Sequence, residues 1–152
     1  MPHYFDEKQE GPFKPFPITI RLFDMTFDVQ SASGVFSLRH LDKGTETLIK
    51  YCSLPEARGA SVLDLGCGYG VVAFVTKRRR QDILVTASDV NERALNLTKL
   101  NADELSLDIQ VVKSDLFAEL ESFDCILTNP PYVAGRKTLF SLIEQAKEHI
   151  NE

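Results

Sequence analysis

Cysteine is scarce in this chain. Cys52, Cys67 and Cys125 are too few and too scattered for a disulfide framework or a structural zinc site. His3, His40 and His149 share no ligand spacing, so no bound metal is expected. No apolar run approaches the roughly 18–20 residues of a membrane span. The opening residues, Met1-Pro2-His3-Tyr4-Phe5-Asp6-Glu7-Lys8, lack the basic-then-apolar order of a secretory signal, and a reducing cytoplasm is the expected location. Basic charge is also in deficit: 17 Lys and Arg against 22 Asp and Glu leave a net charge of −5. That weighs against indiscriminate binding to naked nucleic acid, though it leaves room for a local basic patch. What is present, 43% hydrophobic and 26% charged residues over 152 positions, suits one globular domain with a real core.

Residues 1–17 are rich in proline and aromatics and read as an extended arm. Two runs that alternate apolar with polar, 18–22 and 25–29, flank Phe23-Asp24 and predict a β-hairpin. A loop with Gly and Ser follows over 31–40. Asp42 is placed to cap a helix running to about Tyr51. Strands and helices then alternate: strand 61–65, helix 69–79, strand 83–88, helix 92–105 begun by Asn91, strand 109–113, a helical turn 116–120, strand 123–127, and an amphipathic helix 138–150. Short, uniformly apolar strands separated by helices predict a parallel sheet covered on both faces. Ligands of such sheets sit beyond the carboxyl ends of the strands, and every notable motif falls there.

The first motif is Asp64-Leu65-Gly66-Cys67-Gly68-Tyr69-Gly70. Its alternating glycines let backbone approach a ligand closely. The dinucleotide fingerprint wants Gly or Ala where Val71 stands, which argues against a nicotinamide oxidoreductase. An acid followed by alternating glycines better suits a cofactor with an amino-acid tail and no pyrophosphate. Asp89, ending the next strand, is placed to accept both ribose hydroxyls. Asp115, ending the third, is placed to accept from an adenine amino group, with Val90 and Leu116 flanking the ring. Each Asp alone could be a helix cap; three successive strands each ending in one make a set.

The second motif is Asn129-Pro130-Pro131-Tyr132. The prolines fix φ and remove donors, so the Pro130 carbonyl and the Asn129 side-chain oxygen can both accept from one NH₂ group. Tyr132 offers a flat face for stacking. Such a clamp would stabilise positive charge growing on a nitrogen that attacks a methyl group. An amide-like or aromatic amine needs no general base.

On these segments, together with His3-Tyr4-Phe5, Ser33-Gly34-Val35-Phe36-Ser37, Leu41-Asp42-Lys43-Gly44-Thr45 and Val133-Ala134-Gly135-Arg136-Lys137, the chain resembles class I S-adenosylmethionine-dependent methyltransferases. More narrowly it resembles the small-domain ribosomal RNA guanine-N2 methyltransferases of the RsmC type and their short archaeal relatives. The resemblance implies a Rossmann-like α/β fold over a single domain, with an arm and hairpin in 1–40 and the core in 41–152. It implies S-adenosylmethionine as cofactor and small-subunit ribosomal RNA as partner. It further implies that Phe36, Lys43, Gly44 and Thr45 close over the methionine end, that Asp64, Gly66, Cys67, Gly68 and Gly70 form the turn behind it, and that Asn129 and Pro130 grip the target amine.

Bacterial guanine-N2 enzymes of this type usually carry Phe at the position of Tyr132. The Tyr form is shared with adenine-N6 and glutamine-N5 methyltransferases, so those targets stay open. Such folds have seven strands, whereas this sequence ends after the helix following the fourth. The last three strands are therefore expected to be absent and the fourth to be an exposed edge open to self-association. A truncated, non-catalytic domain that binds S-adenosylmethionine or RNA is the remaining alternative. Lys77-Arg78-Arg79-Arg80, the one dense basic run, sits at a helix C-terminus where the dipole accounts for it. Arg39, Lys43, Arg136 and Lys137 are better placed to meet phosphates.

Overall fold

The computed structural model describes residues 12–35, 41–129 and 135–151. It opens with an antiparallel hairpin of β1 (Phe16–Leu22) and β2 (Met25–Ser31). The two turn residues, Phe23 (φ 51°) and Asp24 (φ 61°), both have positive φ, as the twist of a two-residue hairpin turn demands. The alternation seen in the sequence sends Ile20, Leu22, Phe27 and Val29 into the core. Helix α1 (Lys43–Tyr51) then leads to β3 (Ser61–Leu65), α2 (Val71–Arg79), β4 (Leu84–Asp89), α3 (Glu92–Leu105), β5 (Gln110–Lys113), β6 (Cys125–Thr128) and α4 (Arg136–Glu148).

The last four strands form a parallel sheet in the order β5-β4-β3-β6. Residues of β3 alternate between two cores. Val62 joins a large cluster with the hairpin, α2 and α3, whereas Leu63 and Leu65 join a smaller one with Phe117, Phe123 and Leu142 of α4. Helices therefore cover both faces, which is why the residues of β3 and β4 are almost all buried whichever face they point to.

Several boundaries move from the expected ones. Helix α2 begins at Val71 rather than at 69, because Gly70, at φ 106°, is its N-cap. Helix α4 begins at Arg136, two residues before the expected start, behind Gly135 at φ 91°. The strand expected at 83–88 runs Leu84–Asp89, and the one expected at 123–127 runs Cys125–Thr128. Phe123 instead makes a parallel bridge to Ile150: its N–H donates to the His149 carbonyl at 2.7 Å and its carbonyl accepts from Asn151 N–H at 2.8 Å. Among the described residues β6 is an edge strand, and residues 149–151 line the approach to it.

Candidate functional site

Register brings the strand ends to one rim. Leu65, the last residue of β3, pairs with Ser88 of β4 on one side and Thr128 of β6 on the other. Asp89 pairs with Lys113 of β5. Gly66 and Asn129 therefore leave neighbouring strands side by side, where the strand order reverses and ligands of open parallel sheets bind. The Thr128 hydroxyl donates to the Leu65 carbonyl at 3.0 Å and ties the two ends together.

The glycine turn is held from behind. Gly66 and Cys67 N–H both donate to the Ser88 carbonyl at 2.9 Å. Gly68 is gripped at both ends: its N–H donates to Asp89 Oδ2 at 3.1 Å, and its carbonyl accepts from the Thr98 hydroxyl at 2.9 Å. Asp89 Oδ1 accepts from Asn91 N–H at 2.9 Å, so the carboxylate expected at a ribose also braces the turn. Gly70 serves packing, because a Cβ there would lie 2.3 Å from the Phe74 ring. Cys67 Sγ lies 3.4 Å from Thr98 Oγ1. Burial, then the charges of Asp89 and Asp64, push its thiol well above the usual range, so it is a small inert spacer.

Asp64 is 3% exposed, and its Oδ2 accepts from Ala73 N–H at 3.1 Å. It thereby caps the first turn of α2, which Gly70 cannot. Burial pushes its carboxyl up to about 7; the Ala73 N–H opposes the rise and the Asp89 charge adds to it. Between about pH 4 and 7 the folded chain thus holds a proton that the unfolded chain has lost, and stability falls as pH rises through that window. Asp64→Asn, which has no proton to lose, is expected to flatten that fall, matching the wild type near pH 4 and exceeding it near pH 8 in thermal melts.

On the β5 side, Asp115 is exposed, while Val90 and Leu116 are half-buried. Leu116 adopts φ 50°, a left-handed conformation that costs a non-glycine residue about 1–2 kcal/mol. Ser114, 3% exposed, holds it there: its hydroxyl donates to the Leu116 carbonyl at 2.8 Å and accepts from Glu119 N–H at 3.1 Å.

On the β6 side, the Asn129 side chain meets the N-terminus of α1. Its Nδ2 donates to Asp42 Oδ2 at 3.0 Å and to Thr45 Oγ1 at 3.2 Å. The same Asp42 oxygen caps α1 by accepting from Thr45 N–H at 3.2 Å. Gly44 lies against the amide, and a Cβ there would stand 3.0 Å from both of its terminal atoms. Phe36, Pro130, Pro131 and Tyr132 lie outside the described residues.

Sequence reasoning passed over Thr98 and Asn101, both fully buried on α3. Asn101 Nδ2 donates to the carbonyls of Gln30 and Tyr69, each at 3.0 Å, and its Oδ1 accepts from Gln30 N–H at 2.7 Å, joining hairpin, helix and turn. Asn91 and Arg93 likewise hold the carbonyls of Gly34 and Ser33. The available signal was two polar residues on the apolar face shared with Ala94 and Leu97. The basic run is structural. Arg78 stacks 4.3 Å over Phe27 and Arg79 4.9 Å over Phe23, while Lys77 and Arg80 bond loop carbonyls. Among the described residues, no cluster of His, Cys, Asp and Glu could hold a metal ion, and no helix is long and apolar enough to cross a membrane.

A family model described as the methyltransferase small domain matches residues 26–152. The Bacillus subtilis protein YbxB is 36% identical over 152 residues, covering 97% of this chain and 75% of its own length. Ribosomal RNA small subunit methyltransferase C of Haemophilus influenzae is 37% identical over 129 residues, covering 82% of this chain and 38% of its own. Among solved structures, the Thermus thermophilus 16S rRNA N2 G1207 methyltransferase RsmC, in complex with AdoMet and guanosine, superposes with a TM-score of 0.76 at 22% identity. That match covers 93% of this chain and 40% of that one. The chain thus spans three quarters of the Bacillus protein and about two fifths of the RsmC proteins. With its parallel sheet, glycine turn and rim in place, the chain belongs to the methyltransferase small domain family and has the class I S-adenosylmethionine-dependent methyltransferase fold.

Proposed function

We propose that this chain is an S-adenosylmethionine-dependent N-methyltransferase acting on the exocyclic N2 amine of a guanine in small-subunit ribosomal RNA, in the cytoplasm. The adjacency of the Gly66 turn and Asn129, imposed by the pairing of Leu65 with Thr128, carries the reading: a cofactor site and an amine clamp share one crevice. The residues fit the cofactor. A Cβ built on Gly66 or Gly68 meets nothing within 4 Å, so the turn faces open space on one side while Ser88, Asp89 and Thr98 hold it on the other.

In this reading Asp89, at the carboxyl end of β4, holds the ribose. Val90 and Leu116 flank the adenine, and Asp115 accepts from its amino group. Phe36, Lys43, Gly44 and Thr45 close the methionine end, with Asp64, Cys67 and Gly70 shaping the turn. Bound there, S-adenosylmethionine supplies an electrophilic methyl group on a sulfonium. The protein's own task is positioning. Asn129 Oδ1 and the Pro130 carbonyl accept from the target NH₂ and stabilise the charge growing on nitrogen. Pro131 keeps the turn rigid, and Tyr132 stacks on a base flipped into the crevice.

The name of the Haemophilus relative supports small-subunit ribosomal RNA, and the N2 G1207 and guanosine named for the Thermus complex support guanine as the target. Tyr132 favours the second reading, adenine-N6 or glutamine-N5 methylation. Labelled methyl groups offered separately to small ribosomal subunits, free ribosomal RNA, DNA and release-factor protein separate the two. Label in the subunits is expected. Label confined to DNA or protein supports the second reading. No label anywhere, with no binding of S-adenosylhomocysteine by calorimetry, points to a non-catalytic domain.

The RNA reading also accounts for Lys43, Arg136 and Lys137, which are exposed in the first turns of α1 and α4, beside the clamp in space or in sequence. Cations at helix N-termini are unfavourable by about 0.3–1 kcal/mol each. Replacing all three by Ser is expected to weaken binding to a ribosomal RNA fragment and to flatten its dependence on log salt by about 2. Melting temperature should hold or rise. An unchanged salt slope in filter binding would remove these residues from the RNA surface.

A further inference from the structure

We infer that Asp42, Thr45 and Gly44 form an orienting clip that points Asn129 Oδ1, and not its NH₂ group, at the target amine. The inference deepens the proposed function and rests on Asn129 being an acceptor. An amide has two ends of nearly equal size and opposite hydrogen-bonding character. If it turned over, its NH₂ group would meet the target NH₂ group, donor against donor, and the clamp would fail.

The neighbours of Asn129 decide between the two orientations. Asp42 Oδ2, 3.0 Å away, is an anionic acceptor, and only an N–H can face it. Thr45 Oγ1, at 3.2 Å, takes a second contact from the same nitrogen. The reversed amide would set its oxygen against a carboxylate while leaving both protons turned away from their acceptors. Gly44 leaves the room: a Cβ at this position would touch Nδ2 and Oδ1 alike at 3.0 Å and push the amide off its partners. With its nitrogen committed to the clip, Asn129 keeps Oδ1 as the acceptor left for the target amine.

Asp42 therefore has two duties, since it also caps α1. They can be separated. Serine caps a helix about as well as aspartate but is too short to reach Asn129. Asp42→Ser is expected to keep the melting temperature and the KM for S-adenosylmethionine near wild type while lowering kcat on small ribosomal subunits about 10- to 100-fold, as loss of a charge-assisted bond implies. Thr45→Val should lower kcat less, and Thr45→Ser, which keeps the hydroxyl, should recover most of that loss. Gly44→Ala should also lower kcat.

A second readout needs no turnover. The Asn129 side-chain N–H₂ resonances should be shifted and slow to exchange in the wild type, and should revert toward free-amide values in Asp42→Ser. Failure of the wild type to methylate any amine would remove the functional reading while leaving this spectroscopic arm to decide the clip. Asn129 N–H₂ signals unaffected by Asp42→Ser would overturn the clip itself. A normal kcat in Asp42→Ser, with those signals collapsed, would overturn its role in positioning.

Discussion

Asn129→Ala is expected to lower kcat by about 10²–10³-fold, the cost of losing one preorganised partner for a developing charge, while S-adenosylhomocysteine binds with nearly unchanged affinity. The separation follows from placement. The glycine turn is held by Ser88, Asp89 and Thr98, none of which bonds Asn129. Asn129 instead bonds Asp42 and Thr45 at the N-terminus of α1, and Thr45 keeps its place in that helix through its N–H bond to Asp42 when the amide is removed. Removing the amide leaves Asp42 as the cap of α1, so the fold should persist. Calorimetry for the cofactor analogue and single-turnover methylation for the chemistry give the two halves of the result. Near-normal turnover in Asn129→Ala would refute the amine clamp.

Gly70→Ala is expected to carry the largest stability loss. Gly70 is the N-cap of α2 at φ 106°, and an added Cβ would lie 2.3 Å from Cζ and 2.7 Å from Cε2 of Phe74, a ring with no solvent exposure. Overpacking a closed core costs about 1–3 kcal/mol, and the left-handed backbone adds about 1–2, so about 2–5 kcal/mol is expected from a total that is commonly 5–15. Trimming the ring should relieve part of it. Gly70→Ala/Phe74→Leu should be more stable than the sum of its single changes, by about 1 kcal/mol in a double-mutant cycle. Strict additivity in urea melts would show that backbone strain, not the ring, sets the cost.

The rim was legible because parallel strands buried on both faces are mostly apolar, so an acid or an amide at the end of such a run stands out. Asp89 ends β4 and Asn129 follows β6 as expected, whereas Asp64 stands one residue inside β3 and Asp115 two residues beyond β5, so three strands do not each end in an acid. The caps Asp42 and Asn91 were legible from side-chain chemistry alone. Helix starts were less so. A glycine cap announces itself only through φ, so the starts of α2 behind Gly70 and α4 behind Gly135 were each misplaced by two residues. Nothing in a leucine foretells φ 50°; Leu116 holds it because Ser114 bonds across the turn. Long-range pairings were hidden for a similar reason. Asp42 and Asn129 stand 87 positions apart, and each already had a sufficient local role, as cap and as turn residue. The arginine run was visible, but the aromatic faces of Phe23 and Phe27 that receive it became apparent only when the hairpin docked on α2.

The most direct measurement is a modified-nucleoside map of small-subunit ribosomal RNA from cells with and without this protein. Loss of a single N2-methylguanosine, restored by the wild-type chain and not by Asn129→Ala, is the expected result. Ribosomal RNA with every methylated guanine intact, alongside a missing methyl group on an adenine N6 or a protein glutamine, would contradict guanine as the target. It would give the crevice between the Gly66 turn and Asn129 a different amine.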